Sequence, residues 1–565
     1  MKRKNSKKNE MASDQSVQFH SAFGERGLKD SIRQSIDHIK MLYQSDSIPW
    51  VIGYSGGKDS TAILQLTWYA LQELSQEGKC EKKVHVISTD TLVENPIVAM
   101  WVGKSLQRMK EQADEQGLPI VPHRLTPAVK DRFWVNLIGK GYPAPRYKFR
   151  WCTDRLKISP SNTFIQNMAD KNGEAILVLG TRKAESTARA ASMDRFENST
   201  TNTRKALGLT ENGSLERVWV YTPIASWSND DVWVYLNSVD NPWNFPNHDL
   251  MGMYQGATEG GECPLVVDKS TQSCGDSRFG CYVCTMVSED KSMNAMISND
   301  EEKEWMYPLV ALRNEIEVND ANRAKKIEKL TRDKANRDFR RMNGNLTVHV
   351  SKHGADLVPG PYIQSFREHL LGKVLEAQQA VQQLGPEEVK DLELLPLEDL
   401  EEIRRIWLEE KHEAEDSVPK IYQKVLKKEY PGKQRAHHPI LNLDVLNKLK
   451  AHCENQGDED GLLYQQMRSV MSIANKHKNQ LRRAKLSDEL AQSLDKGAFN
   501  NLFEAKQFAL ERERHRLQIQ LNNSPNLTED DKAAIQEKII MVTKSIKEQG
   551  YSSLLIDFEE VHDDN

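Results

Sequence analysis

The sequence predicts an α/β fold, a doubly wound parallel five-stranded sheet, followed by a cysteine-rich segment and a mostly α-helical C-terminal region. Three observations predict it. Short apolar runs alternate with helix-period patterns as far as Tyr221. The first of those runs breaks into the glycine-rich stretch Ser55-Gly56-Gly57-Lys58-Asp59-Ser60 and resumes as a helix. Beyond Asp290 the pattern is helical with few strand signals. Strands that alternate with helices imply parallel pairing through right-handed crossovers.

The elements follow in order. Met1 to about Gln18 is polar and Lys/Arg-rich, so residues 1–20 are expected to be a disordered basic tail without the apolar core of a secretory signal. Leu28, Ile32, Ile36, Ile39 and Leu42 recur at helical spacing. The five expected strands are Trp50–Ile52, Val84–Ser88, Leu118–Leu125, Ala175–Leu179 and Arg217–Tyr221. Helices are expected after Asp59, from about Pro96, over Thr153–Met168 and over Asn229–Leu236. Pro242–Gly261 reads as irregular and aromatic, and Leu346–Val350 as a lone strand. Ser365–Gln383 and a turn around Leu400–Trp407 read as helix, and Phe499–Leu521 with Thr528–Glu548 as a helical hairpin whose second arm opens on a Thr528/Asp531 capping box. The expected domains are residues 25–245 (nucleotide binding), 246–290 (cysteine-rich), 291–437 (mainly helical, with basic and acidic stretches) and 438–565 (helical, with the hairpin).

Composition narrows the function classes. With 28% charged residues, a net charge of -5 and no apolar run near membrane-spanning length, a cytoplasmic protein with no membrane partner is expected. Seven cysteines do not suggest a disulfide framework. Four of them, Cys263, Cys274, Cys281 and Cys284, fall within a short loop-rich segment with one Cys-x2-Cys pair. Four thiolates there suit a [4Fe–4S] cluster or zinc, and the single pair with irregular flanks favours the cluster.

The stretch after the first strand has the makings of a phosphate site, since glycines admit backbone N–H groups and a helix end adds positive charge. Its spacing is not that of Walker A. Lys58 would meet the β/γ phosphates, Ser55, Gly56, Gly57 and Ser60 would hold phosphate oxygens, and Asp59 would orient them. Mg²⁺ is expected between the phosphates. Asp90, closing the second strand, is a candidate for the nucleotide or its metal. Gly180, Arg182, Glu185 and Arg189 follow the fourth strand, with Arg182 and Arg189 on one helical side for a phosphate. Cys152 lies among five cationic side chains, surroundings that favour a thiolate. It is a sulfur carrier, a cluster ligand or an inert core thiol. The Arg323–Arg341 stretch carries nine Lys/Arg against three Asp/Glu, and is either a DNA-phosphate contact or a solvated face. Glu387–Asp416 carries thirteen acidic residues against four basic ones, and is expected to be a solvated face or a protein contact.

Ser-Gly-Gly-Lys-Asp-Ser resembles the pyrophosphate loop of the ATP pyrophosphatases, which split ATP between the α and β phosphates. Together with Cys152-Thr153, Gly180-x-Arg182-x-x-Glu185-Ser186 and Asp231-Val232-Trp233, it resembles the phosphoadenosine phosphosulfate reductase family over residues 25–240. Gly261–Val266 and Cys274–Thr285, with Gly360-Pro361-Tyr362 and Ile403–Trp407, are similar to the DndC family, sulfurtransferase-type ATP pyrophosphatases of bacterial DNA phosphorothioation. The resemblance implies the adenine nucleotide α-hydrolase-like fold with an iron–sulfur segment, ATP as substrate and catalytic roles for Lys58, Asp59, Cys152 and Arg182. It also implies DNA as the sulfur acceptor, a cysteine desulfurase as donor, and DndD- and DndE-like partners. The alternatives are a phosphoadenylyl-sulfate reductase-like or tRNA-thiolating enzyme of the same fold, and a non-catalytic ATP- and cluster-binding scaffold.

Overall fold

The computed structural model describes residues 21–24, 26–147, 149–199, 203–258, 279–320, 322–433, 443–477, 485–496, 499, 501–524 and 527–550. The basic tail, Cys263 and Cys274 lie outside them. Two compact units emerge: residues up to 127 with 153–281 and 291–301, and residues 128–152 with 282–290 and 302 onward. No described helix is long and apolar enough to cross a membrane.

The first unit is built on a sheet of six strands, not five, in the order β3-β2-β1-β4-β6-β5. Strands β1 (Trp50–Gly53), β2 (Val84–Thr89), β3 (Ile120–Leu125), β4 (Ala175–Val178) and β6 (Val218–Tyr221) run parallel. The extra strand, β5 (Leu209–Glu211), pairs antiparallel with β6 at the edge. Its three residues between Gly208 and Asn212 are too short for an alternation to register in the sequence.

The apolar residues divide cleanly between the two faces. Trp50, Ile52, Val84, Val86, Ile176 and Val178 face helices α1 (Leu28–Gln44), α2 (Lys58–Gln76) and α3 (Pro96–Glu115). Val51, Ile87, Ala175, Leu177 and Val218 face α4 (Ser159–Asn172) through Ile165 and Ala169. Alternation of side chains along a strand puts successive residues on opposite faces, so a run apolar at every position needs helices on both. The strand order reverses between β1 and β4. Ligands of such sheets bind beyond the strands' carboxyl ends at this switch point.

Helix Asn229–Ser238 starts on a capping box from Ser228 to Asp231, and Asp231 also accepts from Ser21 Oγ and Ala22 N. The stretch expected to be irregular contains a helix, Asn247–Gly256. It was hidden because it buries only Asn247 and Leu250 and carries two glycines.

In the second unit, Val135–Lys140 forms a π-helical turn. Trp407 Nε1 donates to Ile138 O at 3.0 Å, and Arg132 donates to Asp399 at 2.6 Å. The lone strand expected at 346–350 is the first arm of a hairpin, Val348–Ser351 with Gly354–Leu357. Leu510, Leu517, Ile535, Val542 and Ile546 of helices Leu502–Asn523 and Glu529–Glu548 close over it around Ala355. The Thr528/Asp531 capping box is present. The acidic stretch, expected to be a solvated face or a protein contact, is partly internal, which corrects the solvated-face alternative. Asp399, Arg404 and Glu413 are buried, and the pairs Asp399–Arg132, Arg404–Asp416 and Glu413–Arg367 neutralise them.

Candidate active site

Two loops meet at the switch point of the first unit. One, Tyr54–Gly57, leaves β1 and enters α2. The other, Leu179–Glu185, leaves β4. Gly56 has φ +75°, and a Cβ there would stand 2.5 Å from Val102 Cγ2, so only glycine fits the turn. Gly57 precedes α2 and supplies no side-chain cap. Ser60 Oγ instead donates to Gly57 O at 2.9 Å and accepts from Ser55 N at 3.2 Å, and Thr61 Oγ1 donates to Gly57 O at 3.0 Å. These hydroxyls fix the loop to the first turn of the helix. A glycine loop entering a helix N-terminus is a phosphate cradle by geometry, so the residues present fit a nucleotide's phosphates.

The charged groups converge on Asp59. Arg182 Nε donates to Asp59 Oδ1 at 2.7 Å, and Lys58 Nζ donates to Asp59 Oδ2 at 2.9 Å. Arg182 is only 4% exposed and also donates to Trp227 O at 3.3 Å. Gly180 lets the second loop lie against the first: a Cβ there would stand 2.8 Å from Asp59 O. Glu185 Oε1 accepts from Arg182 N at 3.0 Å, and its other oxygen pairs with Arg189. Ser55, Gly56, Gly57, Lys58, Asp59, Ser60, Gly180, Arg182 and Glu185 are thus brought together. Arg182 and Arg189 do not share a helical side, which corrects the expectation. Arg182 is extended ahead of a 3₁₀ turn, whereas Arg189 belongs to α5 (Thr187–Ser199).

Asp90 is engaged elsewhere. Its carboxylate accepts from Leu92 N at 2.8 Å and from Arg124 Nε at 3.0 Å. Two aromatics that the sequence did not single out belong to the loop. Trp101 Nε1 donates to Gly56 O at 3.2 Å. The Tyr254 ring lies 6.0 Å from Lys58 Nζ, and its phenol is pushed up to about 12 by burial and then by the Asp59 carboxylate. Tyr254 sits on the helix hidden in the sequence, and Trp101 on the loop-facing side of α3.

Of the cysteines, Cys281 lies at the carboxyl end of β2, beside the strand that carries the loop. It bridges to Glu94, and Thr91 Oγ1 is 3.5 Å from its Sγ. Burial raises the Glu94 carboxyl, opposed by Lys157. In the second unit, Cys284 O accepts from Arg313 Nε at 2.9 Å, and Arg313 pairs with Glu317 in full burial. Also there, Cys152 is half-buried next to Trp151, which stacks on Phe133. Among the described residues no group of three or more His, Cys, Asp or Glu side chains gathers to hold a metal. Of the four cysteines of the segment, Cys263 and Cys274 lie outside the described residues.

The uncharacterized protein MJ0066 of Methanocaldococcus jannaschii is 28% identical over 212 residues, 38% of this chain and 36% of that protein. The chain therefore spans about a third of that relative's length. Candida glabrata FMN adenylyltransferase, solved with FMN and the ATP analogue AMPCPP, is 12% identical over 38% of this chain and 59% of that one, with a TM-score of 0.22. The U34-tRNA thiolase NcsA of Methanococcus maripaludis, solved with its [4Fe–4S] cluster, is 12% identical over 51% of this chain and 80% of that one, with a TM-score of 0.24. Residues 49–286, which contain every strand of the six-stranded sheet and both loops at its switch point, match the phosphoadenosine phosphosulfate reductase domain.

Proposed function

We propose that the protein is an ATP pyrophosphatase and sulfurtransferase of the DndC type, which activates a DNA backbone phosphate for thiolation. The observation that carries the ATP half is the loop Ser55–Ser60 at the switch point, with Lys58 and Arg182 held by one carboxylate. The acceptor and the sulfur half rest on the similarity of the cysteine segment.

A non-bridging oxygen of the acceptor phosphate attacks the α phosphorus of ATP, the α–β bridging bond breaks, and pyrophosphate leaves. A sulfur nucleophile then displaces AMP, which carries the oxygen away. Lys58 and the loop amides stabilise the charge gathering on the departing pyrophosphate. Arg182, held by Asp59 and Trp227 O, adds positive charge at the same strand end. Mg²⁺, when bound, neutralises phosphate charge, and the carboxylates nearby are already engaged, which suits a metal that rides on the nucleotide. Cys263, Cys274, Cys281 and Cys284 would hold a [4Fe–4S] cluster, which would supply iron–sulfur chemistry to the sulfur half of the reaction. Cys152 serves as sulfur carrier or as cluster ligand, and a cysteine desulfurase together with a thiol reductant supplies the sulfur at the sulfide level.

The test is anaerobic purification with iron and sulfide counts, followed by assay of AMP and pyrophosphate with DNA, with tRNA and with neither. A brown protein whose AMP formation rises with DNA is expected. A colourless zinc protein that forms no AMP overturns the reading, and stimulation by tRNA alone transfers it to tRNA thiolation.

A further inference from the structure

The second unit carries a helix that folds against almost nothing. Of the residues Arg323–Ala335, Asp333 alone is buried. Ile327 is 56% exposed, and Leu330 is exposed beside it. The first turn holds Arg323, Lys325 and Lys326 and no acidic residue. Cations at that end oppose the helix dipole and destabilise the helix. Asn322 offsets this by accepting from Ala324 N and Lys325 N. Asp320 lies near enough to Lys325 to feel its charge, but among the described residues none of the three cations forms an ion pair, so they stand against the helix's own electrostatics and are available to something outside it.

The buried Asp333 joins this helix to a second exposed feature. Its carboxylate accepts from Arg146, from Arg337 and, at 2.9 Å, from Tyr362 Oη. Arg146 in turn exchanges two backbone hydrogen bonds with Phe149, at 3.1 and 2.7 Å, closing a tight turn. Tyr147 stands on this turn at 78% exposure, its ring under the Arg150 guanidinium at 5.0 Å, and Phe149 is 44% exposed. A solvent-facing aromatic held by an arginine, pinned to a row of cations, is the pairing that proteins use for nucleic-acid strands: cations for phosphates, a ring for an unstacked base.

We infer that residues 146, 147, 149 and 150 and the helix Arg323–Ala335 form a DNA-binding surface, on which Arg323, Lys325 and Lys326 hold backbone phosphates and Tyr147 stacks on a base displaced from the duplex. The choice of DNA over other polyanions rests on the proposed function. The helix spans about 20 Å, enough to follow several successive phosphates of one strand.

The test uses the full chain and fluorescence anisotropy on three labelled probes: a DNA duplex with one unpaired thymine, the same duplex fully paired, and the RNA duplex of the same sequence with one unpaired uracil. R323Q/K325Q/K326Q is expected to lower affinity for both DNA probes at least about tenfold and to flatten the salt dependence by about two to three units of slope. Tyr147→Ala is expected to weaken binding of the unpaired-base duplex about 5- to 100-fold, with the paired duplex within about twofold, while Tyr147→Phe keeps the preference. All four positions are exposed, and circular dichroism with thermal melting checks that the variants fold. Unchanged affinity and slope in the triple variant, or an equal loss on both DNA probes for Tyr147→Ala, overturns the inference. Tighter binding of the RNA probe overturns the assignment to DNA. A parent protein that binds DNA as described but forms no AMP removes the proposed function and leaves this surface standing, and AMP formation with DNA binding insensitive to these variants does the reverse.

Discussion

Arg182 and Asp59, 123 positions apart, are joined Nε to Oδ1 at 2.7 Å across the switch point of the sheet. The bond ties the loop after β4 to the loop after β1. It also makes Asp59 the common anchor of two cations, since Lys58 takes its other oxygen. Removing the carboxylate leaves a guanidinium that is 4% exposed without its partner. Asp59→Ala is expected to cost at most about 3 kcal/mol of stability, the lower end for a broken buried pair because Asp59 itself is partly exposed. Denaturant unfolding measures it.

Lys58→Ala removes the cation while leaving the glycine turn intact. Turnover of ATP to AMP is expected to fall by about 10²- to 10³-fold, the scale of losing one preorganised charge-stabilising donor, with iron content unchanged. Pyrophosphate release at the parent rate would contradict the assignment of the loop.

Gly180→Ala tests the close approach of the two loops. A methyl group 2.8 Å from Asp59 O cannot be absorbed by a side-chain rotation, because the obstacle is backbone. The loop after β4 must move, and Arg182 with it. A lowered melting temperature and a raised KM for ATP are expected together. A variant with parent KM would show that Arg182 does not serve the nucleotide.

Much of this arrangement was legible in the sequence, and the exceptions have physical causes. Strands β1 and β4 are short apolar runs buried on both faces, and such runs announce themselves. The Thr528 capping box was equally visible, because a cap is a local matter. Strand β5 takes its identity from pairing with β6, a tertiary choice that three residues cannot signal. The helix Asn247–Gly256 has little apolar periodicity, so Tyr254 went unread although it lies against Lys58. The acidic stretch looked solvated because its arginine partners, Arg132 and Arg367, come from elsewhere in the chain.

His85 and His123 on neighbouring strands meet ring to ring, Nδ1 to Nε2 at 2.9 Å, beside Phe164. Burial, followed by the charge of His123, pushes the His85 imidazole down to about 4, and burial lowers His123 as well. The unfolded chain binds these protons near 6.5, so between about 6.5 and 4 it takes up more protons than the folded chain. The stability contributed by the neutral pair is therefore full above about pH 6.5 and is lost as pH falls toward 4. The melting temperature of the parent is expected to drop more between pH 7.5 and pH 5 than that of His85→Gln. Parallel pH profiles would count against the pair.

Arg367 and Glu413 form a pair buried on both sides, and Arg367 also donates to Tyr362 O at 3.0 Å and lies 5.1 Å over Trp407. Arg367→Met is expected to cost about 3–5 kcal/mol, because Glu413 is left charged in the interior. The double variant Arg367→Met/Glu413→Leu is expected to recover part of that loss. Denaturant titration followed by tryptophan fluorescence compares the two.

The segment 128–152 is read out after β3 and before α4, yet it belongs to the unit whose remaining residues begin at 282. Val135, Leu137 and Ile138 are wholly buried there, and Ile138 O receives the Trp407 indole. During synthesis this stretch must wait for some 270 further residues before its partner exists. No single cut of the chain yields either unit whole. A fragment ending near residue 290 would carry a ready-made sticky patch, and one beginning near 291 would lack a wedge from its interior. Rearrangements that swap one half for a foreign sequence are therefore barred, and the glycine loop and the helical unit are inherited together.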